Sequence, residues 1–241
     1  MGLKSLQGKL SVVIPCFNEE KTVKTVLHQV LSQKIVGEIV IVDDGSLDKS
    51  IIQIQDVKDP RIKLIRNSKN MGKGKSIWIG IQQVKCEYVV IQDSDLEYDP
   101  KDLQFMLLTL VEKNADAVYG SRFLTAGPRR AVYYWHRIGN ALLTHFSNAF
   151  TNIYLTDMET CYKMMKTGIA QKLNLKENRF GVEPEITAKL SRLECKIFEV
   201  PISYNARTYA EGKKIGWKDA VSAARSIIKY STLPRKFLKI G

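Results

Sequence analysis

Two carboxylates, Asp93 and Asp95, flank Ser94 just after a short apolar run at 87–91. At the end of a buried strand such a pair is costly unless a cation neutralises it. A hard divalent cation does so: Mg²⁺ or Mn²⁺ binds through one or two carboxylates and completes its shell with phosphate oxygens. The ion then neutralises charge on a departing diphosphate, and Glu97 is close enough in sequence to be a third ligand. The competing reading of Asp93-Ser94-Asp95 is a polar turn that caps the next helix, and spacing alone leaves both open.

Other segments of the same kind recur. Asp43-Asp44-Gly45-Ser46 also ends an apolar run, and an acid there can accept hydrogen bonds from a ribose or a base. A hairpin turn competes for any Asp-Gly pair, but a helical pattern follows here. Gly72-Lys73-Gly74-Lys75-Ser76 suggests a phosphate loop, yet position 69 is Lys and position 77 is Ile. Both the Walker and the GxGxxG templates therefore fail; a helix entry with solvated lysines is the stronger reading, and a contact with the donor is the alternative. Arg122, Arg207 and Lys213 could bind phosphate, although a chain with 37 Lys and Arg places most of them on solvated faces. The three histidines, His28, His136 and His145, have no metal-ligand spacing.

Alternating elements must position these residues. Strands are expected at 10–14, 38–42, 61–65, 87–91 and 115–119, and helices from Asn18 to about 31, from Ser46 or Asp48, at 73–84 and at 99–113. This is the pattern of a doubly wound, mostly parallel α/β sheet, whose ligands bind beyond the carboxyl ends of the strands. Residues 15–19, 43–46, 93–95 and 120–122 then share one edge. The second half is less regular, with a helix expected within 129–155, another at 184–193, a strand at 196–200, a polar, mobile loop at 205–216 and an amphipathic stretch at 217–230 before a basic tail. The chain has 241 residues, 44% hydrophobic and 26% charged, which fits one globular domain. Four scattered cysteines argue against a zinc site and a disulfide framework. A net charge of +12 predicts an anionic partner without choosing among nucleic acid, membrane and phosphorylated substrate.

In combination, VVIPCFNEE (12–20), IVDDGSLD (41–48), NMGKGKS (70–76), QDSDLEYDP (92–100), YGSRF (119–123), LTDMETCYK (155–163) and VPISYNARTYAEGKK (200–214) resemble the family-2 inverting glycosyltransferases of the GT-A fold. The likeness is in particular to dolichyl-phosphate mannose synthases and bacterial polyprenyl-phosphate sugar transferases. The resemblance implies a Rossmann-like single domain over 1–241, with a nucleotide-sugar-binding half at 1–123 and an acceptor and membrane-facing half at 124–241. It implies that Pro15, Phe17, Glu19 and Asp44 line a nucleoside pocket. By the same resemblance Asp93, Ser94 and Asp95 form the metal and donor motif. Arg122, Arg207 and Lys213 look like the diphosphate and lipid-phosphate contacts, and Arg137 resembles an acceptor-loop arginine. Glu97 departs from the pattern, since mannose synthases often carry Gln there; a further acid is compatible with metal binding and leaves the donor open.

The acceptor has a chemical consequence. Transfer to a hydroxyl needs a general base, for which Glu185 and Asp157 are the candidates, whereas a phosphate arrives ionised and needs cations. The reading is thus transfer of a hexose from GDP-mannose or UDP-glucose to a polyprenyl or dolichyl phosphate. Transfer to a saccharide hydroxyl is the alternative, and no nucleic-acid partner is expected because no such motif accompanies the charge. Tyr133, Tyr134, Trp135, Leu142, Leu143, Phe146 and Phe150 make 131–155 unusually apolar, with Arg129, Arg130 and Arg137 beside them. Aromatic residues with flanking cations suit a headgroup zone, so the expectation is a protein peripheral on the cytoplasmic face of an anionic membrane. Packing of that segment in the core or against a second copy is the competing expectation.

Overall fold

A computed structural model describes residues 3–124, 130, 131, 133–207 and 217–231. After a short 3-10 turn at Leu3–Leu6, the elements run β1 (Leu10–Cys16), α1 (Val23–Leu31), β2 (Val36–Asp43), α2 (Ser50–Asp56), β3 (Ile62–Arg66), α3 (Lys73–Ile81), β4 (Tyr88–Ile91), α4 (Asp102–Glu112) and β5 (Ala117–Ser121). Then come α5 (Tyr134–Thr151), β6 (Lys163–Lys166), α6 (Thr167–Lys172), α7 (Val182–Arg192), β7 (Ile197–Pro201) and α8 (Trp217–Ser231).

The strands form one seven-stranded sheet in the order β3-β2-β1-β4-β6-β5-β7. All pairings are parallel except those of β6, which runs against both β4 and β5. Central strands read as continuous apolar runs because both of their faces are covered: every residue of β1 and of β4 is buried. Helices bury a stripe at i, i+3, i+4 and i+7, as in α1 with Val23, Val26, Leu27 and Val30. The expected mostly parallel α/β sheet is therefore present, and its carboxyl edge gathers 15–19, 43–46, 93–95 and 120–122. Among the described residues no helix is long and apolar enough to cross a membrane.

Three expectations are corrected. Asn18 does not cap α1; it takes a left-handed φ of 54° and its Oδ1 accepts the Leu47 N–H at 2.8 Å, so the helix starts only at Val23. Strand β6 and helix α6 were not expected at all. The long helix of the second half is shorter than 129–155, ending where Asn152 adopts a left-handed φ of 55° as its C-terminal cap.

Candidate active site

The turn after β4 sits between two cations supplied by distant segments. Lys73, the first residue of α3, places Nζ 2.8 Å from Oδ1 of Asp93 and 3.1 Å from Oε1 of Glu183 on α7. Burial opposes ionisation of Asp93, and the Lys73 ammonium overcomes it, holding the carboxyl below the usual carboxylate range. The glycines on either side of Lys73 are required by a close approach. A Cβ on Gly72, whose φ is 98°, would lie 2.2 Å from the Asn178 carbonyl oxygen, and one on Gly74 would lie 2.2 Å from that of Glu177. The Gly-Lys-Gly segment is thus a backbone junction that drives Lys73 inward, and the expectation of solvated lysines is corrected at this position.

Asp95 faces a second cation. Arg207, in the chain after β7, lies 2.6 Å from Asp95 Oδ2, 3.6 Å from Glu19 Oε1 and 3.7 Å from Glu97 Oε1. Glu97 also pins that segment, accepting the Arg207 backbone N–H at 2.7 Å and the Tyr204 hydroxyl at 3.0 Å. Burial, then the charges of Asp93 and Glu97, push the Asp95 carboxyl up to about 7 against the pull of Arg207. Thr22 Oγ1 donates to the Ser94 carbonyl at 2.9 Å and fixes the turn to the chain after β1.

Arg122 follows β5 and forms the third charged centre. Its Nε and Nη2 donate to the two oxygens of buried Asp157 at 2.7 and 2.8 Å, and Nη2 also donates to Asn140 at 3.2 Å. Glu199 of β7 accepts the N–H groups of Thr156 and Asp157 and so holds the loop in place. Arg137 stacks on Phe123, with its guanidinium carbon 3.9 Å from the ring centre. Asp157 as a general base is corrected, because Arg122 and Asn140 engage both of its oxygens. Glu185 is corrected too: fully buried, it binds Lys189 and accepts the N–H groups of Lys176 and Glu177, away from the strand ends.

The remaining expected residues are placed as follows. Pro15 is buried at the end of β1, and Phe17 and Glu19 follow it at the same edge. Asp44 uses both oxygens on the chain, accepting from Asn67 at 2.8 Å, Met71 at 2.9 Å and Gly72 at 2.7 Å. It therefore anchors the approach to Lys73, and anything it offers a nucleoside comes with that loop. Lys213 lies outside the described residues, as do Arg129, most of the expected loop at 205–216 and the basic tail from 232.

Sequence reasoning missed Glu183, Glu159 and Lys163, and it weighed Lys73 chiefly as a solvated lysine. Glu183 Oε2 and Glu159 Oε1 are sealed from solvent and have no hydrogen-bond partner among the described residues. Burial and the neighbouring Glu183 raise the Glu159 carboxyl to about 8. Lys163, fully buried on β6, donates to the carbonyls of Met158 and Thr160 and lies 4.9 Å from the Tyr119 ring centre. The only sequence signal for these was an unusual density of charge, Glu159 and Lys163 around a cysteine and Glu183 in the first turn of a helix.

Comparison with known proteins bears on this arrangement. An uncharacterized protein of Methanocaldococcus jannaschii is 31% identical over 90% of this chain and 97% of its own length. A dolichyl-phosphate beta-glucosyltransferase of Trichomonas vaginalis is 27% identical over 94% of this chain and 74% of its own. A dodecaprenyl-phosphate galacturonate synthase of Rhizobium johnstonii is 23% identical over 85% of this chain and 61% of its own. Among solved structures, glucosyl-3-phosphoglycerate synthase of Mycobacterium tuberculosis, crystallised with Mn²⁺, UDP and phosphoglyceric acid, superposes with a TM-score of 0.72 at 17% identity, covering 97% of this chain and 84% of that one. That likeness is one of fold, the GT-A architecture. Residues 11–173, which contain the Asp93–Asp95 turn, Arg122 and the Asp157 loop, match the model of glycosyl transferase family 2, and the chain is a glycosyltransferase of that family.

Proposed function

We propose that the enzyme transfers a hexose, from a donor such as GDP-mannose or UDP-glucose, to a polyprenyl or dolichyl phosphate with inversion. A phosphate oxygen of the acceptor bonds to the anomeric carbon as the bond to the diphosphate breaks, and the nucleoside diphosphate leaves. The observation that carries this reading is the state of the expected bases: Asp157 and Glu185 are both engaged in ion pairs. An acceptor that arrives ionised needs neither. Arg122, Arg207 and Arg137 would hold the acceptor phosphate and the diphosphate together, with Lys213 as a further candidate. Pro15, Phe17, Glu19 and Asp44 would line the nucleoside side, and Asp93, Ser94 and Lys73 the sugar, with Glu183 behind them holding the Lys73 ammonium.

A divalent cation fits the donor set. Asp95, Glu97 and Glu19 already surround one cation, the Arg207 guanidinium, and offer only oxygen ligands. Among the described residues no group of three or more His, Cys, Asp and Glu is arranged to hold an ion by itself. That suits Mg²⁺ or Mn²⁺ bound through Asp95, with Asp93 and Glu97 flanking it and substrate phosphate completing the shell. When bound, the ion neutralises charge on the leaving diphosphate. A bilayer-bound acceptor places the enzyme on an anionic membrane, at the cytoplasmic face, with the half from 124 onward toward the lipid.

Transfer to a saccharide hydroxyl is the second reading; it needs a general base, and Glu159, raised to about 8 by burial and by Glu183, is ionised to serve as one only at alkaline pH. Incubation with GDP- and UDP-sugars, Mg²⁺ or Mn²⁺, and either detergent-solubilised polyprenyl phosphate or oligosaccharides separates the two. The expected product is an acid-labile lipid-phosphate sugar; transfer only to the oligosaccharide would overturn the first reading.

A further inference from the structure

Helix α5 is built inside out. At about 100° per residue, Tyr134, Trp135, Ile138, Leu142, Phe146 and Phe150 fall on one half of the helix, and Asn140, Thr144, Ser147, Asn148 and Thr151 on the other. A surface helix ordinarily turns the first kind of half inward. Here the polar half is turned in: Thr144 and Ser147 are buried. The apolar half is turned out at Tyr134, Trp135 and Leu142, 67%, 78% and 65% exposed, while further along Phe146 packs against the core.

The inward stripe grips one loop. Asn148 donates to the Leu155 carbonyl at 2.8 Å and accepts the Leu155 N–H at 3.1 Å. Thr144 Oγ1 accepts the Met158 N–H at 3.2 Å. Asn140 accepts from Arg122 and donates to Asp157, each at 3.2 Å. Asn140, Thr144 and Asn148 stand at i, i+4 and i+8, so a rigid row joins the helix to the residues that hold the Arg122 guanidinium.

The outward face has a definite chemistry. None of the 18 residues of α5 is acidic. Exposed Arg130 precedes it, and α8, packed alongside, exposes Val221 and Ile228 together with Arg225, while its Lys229 is ion-paired with Glu177 at 2.9 Å. Exposed aromatic and aliphatic side chains among cations match the headgroup zone of an anionic bilayer.

We propose that α5 is a transmission element: seating its outward face on an anionic lipid surface sets the position of Arg122 through the Asn140–Thr144–Asn148 row and completes the phosphate site at the membrane. This rests on the polyprenyl-phosphate reading above. A surface that binds one arrangement of α5 better than another shifts the site toward it, and by linkage a bound acceptor phosphate tightens lipid binding by the same factor.

The test pairs a readout without catalysis and one with it. Amide hydrogen exchange at 155–158 is followed with phosphatidylcholine vesicles with and without phosphatidylglycerol. Transfer to a water-soluble short-chain prenyl phosphate is measured in the same mixtures. Anionic vesicles are expected to slow exchange at Leu155 and Met158 and to raise kcat/KM by about fivefold or more, mainly through KM. Trp135→Ser with Leu142→Ser should abolish flotation and both effects while keeping the activity seen without vesicles. Thr144→Val and Asn148→Leu should still float but lose both effects. Wild type that floats with unchanged exchange and unchanged kcat/KM overturns the coupling and leaves the proposed transfer standing. An exchange response with no turnover of any donor overturns the transfer and leaves the coupling. Failure to float, together with a dimer in sedimentation that the Trp135 and Leu142 changes dissociate, overturns the proposal in favour of a second copy on this face.

Discussion

The Arg207 guanidinium lies 2.6 Å from Asp95 Oδ2, although the two residues are 112 positions apart. That contact closes the chain after β7 over the turn after β4, and Glu97 secures it by accepting the Arg207 N–H. Glu19 joins from the chain after β1. One cation is thus shared by acids from two strand ends.

Asp95→Asn keeps the shape of this turn and removes its charge. Transfer, measured as kcat/KM with saturating Mg²⁺ or Mn²⁺, is expected to fall by about a hundredfold or more. The urea midpoint should stay the same or rise, because a buried carboxyl held at about 7 is replaced by a neutral amide. Wild-type turnover in this variant, or in EDTA, would remove Asp95 and the metal from the reaction.

Lys73→Met leaves Asp93 and Glu183 without their shared ammonium. The Lys73 and Asp93 side chains are each 20% exposed, so the loss, read from urea unfolding, is expected between about 1 kcal/mol for an exposed pair and about 3–5 kcal/mol for a fully buried one. Adding Asp93→Asn and Glu183→Gln should recover much of the loss. A cost below about 1 kcal/mol, the range of an exposed pair, would mean that Lys73 is solvated.

Glu159 gives a pH signature. Its carboxyl, ordinarily near 4.5, is raised to about 8 by burial and by Glu183. Between those values the folded protein binds a proton that the unfolded chain does not, so this group's contribution falls as pH rises through the window. Glu159→Gln should therefore melt higher relative to wild type at pH 9 than at pH 5, these being round values roughly bracketing the window. A constant difference between the two melting curves across pH would show that the group titrates normally.

Much of this was legible because the first half obeys simple periodicities. The β1 and β2 runs follow from burial on both faces. What failed was read from residue type alone. Lys163 begins a four-residue strand, and a lysine there signals a loop until its Nζ is seen to bind two carbonyls within the fold. Lys73 looked solvated because the approach of 177–179, which forces it inward, is a contact across a hundred residues. The apolar content of α5 was plain, but its direction was not, since Asn140, Thr144 and Asn148 find their partners only in the folded loop.

The reversed strand β6 has a further consequence. Strands β4 and β5 run the same way with β6 between them, so the axes of the strands that lead to the Asp93 turn and to Arg122 lie about 9.5 Å apart, two strand spacings. A parallel strand in that slot would enter from the far side and leave the gap bare. Running backwards, β6 enters from the reactive edge, and its lead-in segment, with Asp157 and Glu159, becomes the floor between the two jaws. The floor and one jaw are therefore a single piece, because Asp157 in that segment holds the Arg122 guanidinium through both of its carboxylate oxygens.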